Sequence, residues 1–215
     1  MEIISKDELK LNREKYIESI KSGAIFIYPT DTIYGMGCIA TKSRPVEKVR
    51  KLKNREIMPF SVIVPSKDWI RKNCIIPKGG DSWIEKLPGP YTLIFKLKNK
   101  ESIAKEVNNG WDTLGVRIPK HWISRAVELL GQPVITTSVN LSGEEFMTSL
   151  DNLNQSIKNG VDFIVYEGEK KGNPSTIVNL SKDKIEIITR GKQLPEGNKW
   201  RESPIRSLIK KIVKK

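Results

Sequence analysis

Six sites in the sequence carry side chains able to hold a polar or anionic ligand. Thr30, Asp31 and Thr32 set two hydroxyls and a carboxylate in a row behind the apolar run 24–28 and Pro29. Lys53 and Arg55 follow an amphipathic stretch, and Arg117 lies near the end of the run 113–118. Thr136, Ser138 and Asn140 offer hydroxyls and an amide within one turn, and Ser175 and Arg190 come late in the chain. Each has a simpler account. Thr-Asp-Thr and Ser-x-Asn can cap their own backbone, and a Lys and an Arg at a helix C-terminus complement its dipole. Polar groups this dense at a strand's exit are nevertheless what a binding loop requires. Tyr34, Gly35 and Gly37 would let backbone approach closely there.

The periodicity says which elements must position these groups. Ser5-x-x-Glu8 is a capping box that predicts one helix to about Ser22, with Gly23 as its C-cap. A buried strand over 24–28 ends at Pro29, which cannot donate to a ladder. Ser43 and Pro45 open a second helix, with Val46, Val49 and Leu52 inward, running to about Asn54. Strands are predicted over 60–64, 91–97, 113–118 and 133–137. Helices are predicted from Ser66, in the stretch up to Leu87, over 121–130 and near 150–157. Three strands, over 161–166, 175–180 and 185–189, close the body. Strands and helices alternate early and strands cluster late, so a twisted sheet with mixed parallel and antiparallel pairs is expected, flanked by helices, with ligands at strand ends.

Composition narrows the function classes. The 215 residues carry a net charge of +13 and 38% hydrophobic residues, enough for a core and biased towards anionic partners. From Lys192 onward there are eight basic and two acidic side chains. No apolar stretch approaches the roughly 20 residues of a membrane span, and the N-terminus is charged from the start, so a cytoplasmic location is expected. Only Cys38 and Cys74 are present and His121 is the single histidine, so neither a disulfide framework nor a zinc site is implied. Gly35-Met-Gly-Cys-Ile-Ala40 fits a dinucleotide pattern, but the glycines neither follow their strand directly nor open a helix. There is no Walker A string. The charge also admits a non-catalytic RNA-binding module (tRNA or double-stranded RNA).

Taken in order, Pro29-Thr-Asp-Thr with Tyr34-Gly-x-Gly37, Lys53-x-Arg55, Val116-Arg-x-Pro-x-His121, Ser138-x-Asn140 and Pro174-Ser-Thr with Arg190-Gly191 resemble the YrdC-like L-threonylcarbamoyladenylate synthase family. The resemblance runs from about residue 20 to residue 191. It implies a YrdC-like catalytic domain over 1–191, a basic tail over 192–215 and a concave ligand cleft. It also implies condensation of L-threonine, bicarbonate or carbon dioxide, and ATP into threonylcarbamoyl-AMP, a nucleotidyltransfer in which the nucleotide brings Mg²⁺. Contact with tRNA or with the complex that transfers the threonylcarbamoyl group follows from the same resemblance. Residue by residue, it assigns Thr30, Thr32, Arg117, Thr136 and Ser175 to threonine. Lys53, Arg55, Met58, Thr113, Ser138, Asn140 and Arg190 are assigned to ATP, with Lys53, Arg55, Ser138 and Asn140 also the catalytic set. His121 is expected to cap or pack rather than catalyse. Two departures stand out: the segment 56–59 is one residue shorter than the commoner pattern and lacks its Pro, and Ile63 or a neighbour replaces a family His. A relative acting on another carbamoyl compound is the other reading.

Overall fold

The computed structural model describes residues 1–190; Gly191 and the basic tail from Lys192 lie outside the described residues. The chain begins with β1 (Glu2–Ile4), α1 (Lys6–Leu11), α2 (Arg13–Ser22), β2 (Phe26–Tyr28), β3 (Gly35–Gly37) and α3 (Ser43–Leu52). It continues through β4 (Ser61–Ile63), α4 (Lys67–Asn73), β5 (Cys74–Ile75), α5 (Gly80–Ile84), β6 (Tyr91–Leu97) and β7 (Thr113–Arg117). The last elements are α6 (Ile123–Leu130), β8 (Val134–Ser138), α7 (Gln155–Gly160), β9 (Phe163–Val165), β10 (Thr176–Asn179) and β11 (Glu186–Ile188). The strands form one sheet in the order β1-β9-β2-β3-β8-β4-β7-β6-β10-β11, with β5 paired to β6. β1 and β2 pair with β9, β4 with β7 and β6 with β10 in parallel, and the other pairs are antiparallel. The expected mixed α/β sheet is therefore present.

Alternation along the strands puts core on both faces. Phe26, Tyr28, Phe163 and Val165 join Tyr16 of α2 and Ile123 and Val127 of α6 on one side. Ile27 and Ile164 face the other, where α3 contributes Val46 and Val49 and α7 contributes Ile157. The apolar positions of each helix thus match the sheet face it covers.

Several expectations are corrected. The N-terminal helix is two, because Asn12 turns its amide onto the Glu8 carbonyl and leaves helical backbone at φ −107°, ψ 32°. The capping box at Ser5 and the left-handed Gly23 cap are as read. The helix expected near 150–157 begins at Gln155, since the Asn152 carboxamide oxygen accepts from the amides of Thr148 and Ser149 and holds the preceding residues in a turn. His121 does not open α6: its amide donates to Pro119 O in a tight turn and Trp122 takes the N-cap position. Strands β1, β3 and β5, of two or three residues each, are not among those expected; β3 holds two glycines, and β5 directly follows α4. The close approach at Gly37 is to the neighbouring strand, where a Cβ would lie 1.8 Å from Ile135 O.

Candidate active site

The site is built on the face of the sheet rather than only at strand ends. Register aligns Thr136 of β8 with Ser61 of β4, Ser61 with Gly115 of β7, and Gly115 with Ile94 of β6. That row, small or polar at Thr136, Ser61 and Gly115 and apolar at Ile94, forms a floor beneath two adjoining cavities. The smaller, about 110 Å³, is bounded by Thr30, Tyr34, Arg117, Thr136, Ser175 and their neighbours. The larger, about 570 Å³, includes Lys53, Met58, Trp111, Thr113, Asn140 and Ile177 in its wall. Arg55, Ser61, Thr92, Ser138 and Arg190 belong to both. Strand β7 runs beneath the pair: Thr113 and Gly115 border the larger chamber and Arg117, two positions on, the smaller.

Arg117 is 6% exposed. One terminal nitrogen donates to Asp31 Oδ1 at 3.0 Å and Thr32 Oγ1 at 3.2 Å, while Nε is buried with no partner. The Thr30–Thr32 turn is held by its own side chains and meets Arg117. The Thr30 hydroxyl donates to Ile33 O at 2.7 Å and accepts from Thr32 N at 3.1 Å, so the turn caps itself. Asp31 then aims the arginine, its other oxygen accepting from Lys120 N at 2.9 Å. Thr32 is not in the smaller cavity's wall; it backs Arg117.

On the opposite side, Arg190 Nε donates to Ser175 O at 2.8 Å and Nη2 to Ser175 Oγ at 2.7 Å. The Ser175 hydroxyl also bonds Thr92 Oγ1 at 2.7 Å. Arg55 reaches Met58 O, Pro59 O and Thr137 Oγ1. Burial, and then the neighbouring Arg50 and Arg190, bring its guanidinium down to about 10. Arg190 is likewise brought to about 10 by burial and then by Arg117. Burial is the main cause of a downward shift in Arg117, opposed by Asp31. Three guanidiniums therefore converge on a chamber whose wall contains no carboxylate among the described residues. Such a chamber favours an anion.

Lys53, Ser138 and Asn140 form one network. Lys53 Nζ donates to Ser138 O at 2.5 Å, Asn140 O at 2.6 Å and Asn140 Oδ1 at 3.1 Å, spending all three N–H groups on the turn after β8. The Ser138 hydroxyl donates to Asn140 Oδ1 at 2.6 Å, and Asn140 Nδ2 to Glu144 O at 2.8 Å. Burial, then Arg55, lowers the Lys53 ammonium to about 7.

A family model named Sua5_yciO_yrdC and described as "Telomere recombination" matches residues 18–191. The chain belongs to this family. Among Sua5–YciO–YrdC relatives, a Methanocaldococcus jannaschii protein with the provisional name threonylcarbamoyl-AMP synthase is 36% identical over 87% of this chain and 89% of its own. Escherichia coli YciO, named as uncharacterized, is 25% identical over 81% of this chain and 86% of its own. The structure of P. abyssi Sua5 complexed with L-threonine superposes with a TM-score of 0.77 at 24% identity, covering 86% of this chain. The present chain spans 56% of that Sua5 chain.

Within this family site the structure adds residues that the motifs did not point to. Ser61 and Thr92 lie in both cavity walls, and Trp111 in the larger. A signal existed: each of the first two is a hydroxyl residue inside a mostly apolar run. His121 and Trp122 both bond the Glu167 carboxylate, fastening the segment that leads to Ser175. This agrees with a packing role for the histidine, which burial shifts towards its neutral form.

Proposed function

We propose that this chain is a threonylcarbamoyl-AMP synthase. It condenses L-threonine, bicarbonate or carbon dioxide, and ATP into threonylcarbamoyl-AMP and pyrophosphate. The observation that carries this reading is the three-arginine chamber, the size of a small amino acid, opening through Arg55, Ser138 and Arg190 into one that fits a nucleotide. The named relatives and the threonine complex of P. abyssi Sua5 support it.

The Arg117 guanidinium, in the wall of the smaller chamber, takes the threonine carboxylate, with Asp31 and Thr32 fixing its direction. Thr30, Thr136 and Ser175 line the rest of the amino-acid chamber. The amine adds carbon dioxide and loses a proton. The resulting carbamate oxygen attacks the α-phosphorus as the bond to pyrophosphate breaks. Arg55 and Arg190, at the junction of the chambers, hold the charge on the transferring phosphoryl group. Lys53 and Asn140 hold the Ser138 turn in place, and Lys53 adds positive charge behind it. Met58, Thr113 and Trp111 face the rest of the nucleotide. Magnesium enters with ATP; among the described residues no three His, Cys, Asp or Glu side chains cluster to hold a metal. The product is passed to the machinery that modifies the adenosine beside the anticodon in tRNA. Residues 1–191 form the catalytic domain, separable from the tail. Mass detection with isotopically labelled bicarbonate tests the reaction. A labelled threonylcarbamoyl-AMP supports it, whereas a labelled adenylate of another amine, or none, overturns it. The second reading drawn from the motifs, a relative acting on another carbamoyl compound, is separated from the first by the same experiment.

A further inference from the structure

The loop 55–59 carries Arg55 and Met58 between α3 and β4, and it has neither regular structure nor the family's Pro. We infer that Arg50 and Asn109 are positioning residues for the nucleotide, acting on Arg55 through the loop's carbonyl groups; this rests on the synthase reading above. Every carbonyl in the loop is held by a side chain. Arg50 Nη1 lies 3.0 Å from Arg55 O, 3.2 Å from Glu56 O and 3.1 Å from Met58 O, sharing its two hydrogens among them. Asn109 Nδ2 donates to Glu56 O and Ile57 O, each at 2.8 Å. Arg55 itself closes the set on Met58 O and Pro59 O.

The clamp is anchored elsewhere. Arg50 Nε and Nη2 donate to Glu106 O at 2.6 Å and Val107 O at 3.2 Å, which ties the loop to the turn below Asn109. The guanidinium carbons of Arg50 and Arg55 stand 4.7 and 4.9 Å from the Phe60 ring centroid, so a shift of one disturbs the other. Pro59 restricts only the end of the loop, and side-chain donors hold the carbonyl groups before it. Asn109 sits at φ 53°, a conformation Gly also adopts.

Asn109→Gly therefore deletes the two loop bonds without straining the backbone at an exposed position. Its expected effect is about tenfold weaker ATP binding, from two lost hydrogen bonds, with the KM for threonine within about twofold of the parent. Hydrogen exchange at the amides of Arg55 and Phe60, measured with no ligand, should quicken. Arg50→Lys, a point charge that cannot reach the same carbonyls together, should weaken ATP binding further. Unchanged ATP affinity in Asn109→Gly, or equal losses for ATP and threonine, would overturn the inference. If the parent protein makes no threonylcarbamoyl-AMP, the functional reading fails separately. The exchange data then decide the clamp alone: quicker exchange upholds it and unchanged exchange removes it.

Discussion

On the proposed reading, Arg117 is the residue on which threonine recognition turns. It is buried, Asp31 is its carboxylate partner among the described residues, its Nε has no partner, and the residue lines the small chamber. Arg117→Ala and Arg55→Ala should each cut product formation by on the order of a hundredfold or more. Their circular dichroism should match the parent's. Near-parent turnover in either variant would remove its assignment. Lys53 gives a pH prediction. Its ammonium titrates at about 7 in the fold and near 10.4 when unfolded. Between those values the unfolded chain binds more protons, so this group makes stability rise with pH by roughly 1 kcal/mol per unit. Below about 7 the cost is fully present. Urea titrations at pH 7 and 9 should show that rise, and Lys53→Met should lack it. Turnover should fall over the same range, because a neutral amine cannot serve three acceptors. The motif residues were legible as a set because Lys53, Arg55, Arg117, Ser138 and Asn140 keep fixed spacings. What each donates to was not, since the bonds of Lys53 span 85 and 87 residues.

Among the elements, β7 supplies Arg117 to the chamber and the segment 166–175 supplies Ser175. The period-two row Thr113, Gly115, Arg117 was readable as a strand face, but only the register with β4, β6 and β8 shows it as a floor. Segment 166–175 is held where Tyr34 Oη donates to Gly168 O at 2.7 Å and accepts from Glu167 N at 2.9 Å. At Gly172 a Cβ would lie 2.0 Å from Thr32 O, against the turn that aims Arg117. Gly172→Ala should therefore raise the KM for threonine several-fold while leaving that for ATP within about twofold. Equal effects on the two constants would show that the segment acts on the whole cleft. The short strands β1, β3 and β5 escaped sequence reading, β3 because two of its three residues are glycine and β5 because it follows α4 without a break, whereas the seven-residue β6 was read to its ends.

At the level of the whole molecule, a sheet with core on both faces carries the cleft above the row Thr136, Ser61 and Gly115, with Arg55, Arg117 and Arg190 in its walls. No helix among the described residues is long and apolar enough to cross a membrane. The net charge of +13 is spread unevenly, with part of it in the tail and part in the arginines of the cleft. Removal of residues 192–215 should leave turnover of the small substrates within about twofold. A larger loss would make the tail part of the catalytic unit. The most direct test of the central claim is pyrophosphate release from ATP by the purified chain, with L-threonine and bicarbonate supplied together, singly and not at all. Release that requires both, and that serine does not match, is the expected result. Release indifferent to threonine, or none from a protein that binds ATP, would contradict the synthase reading.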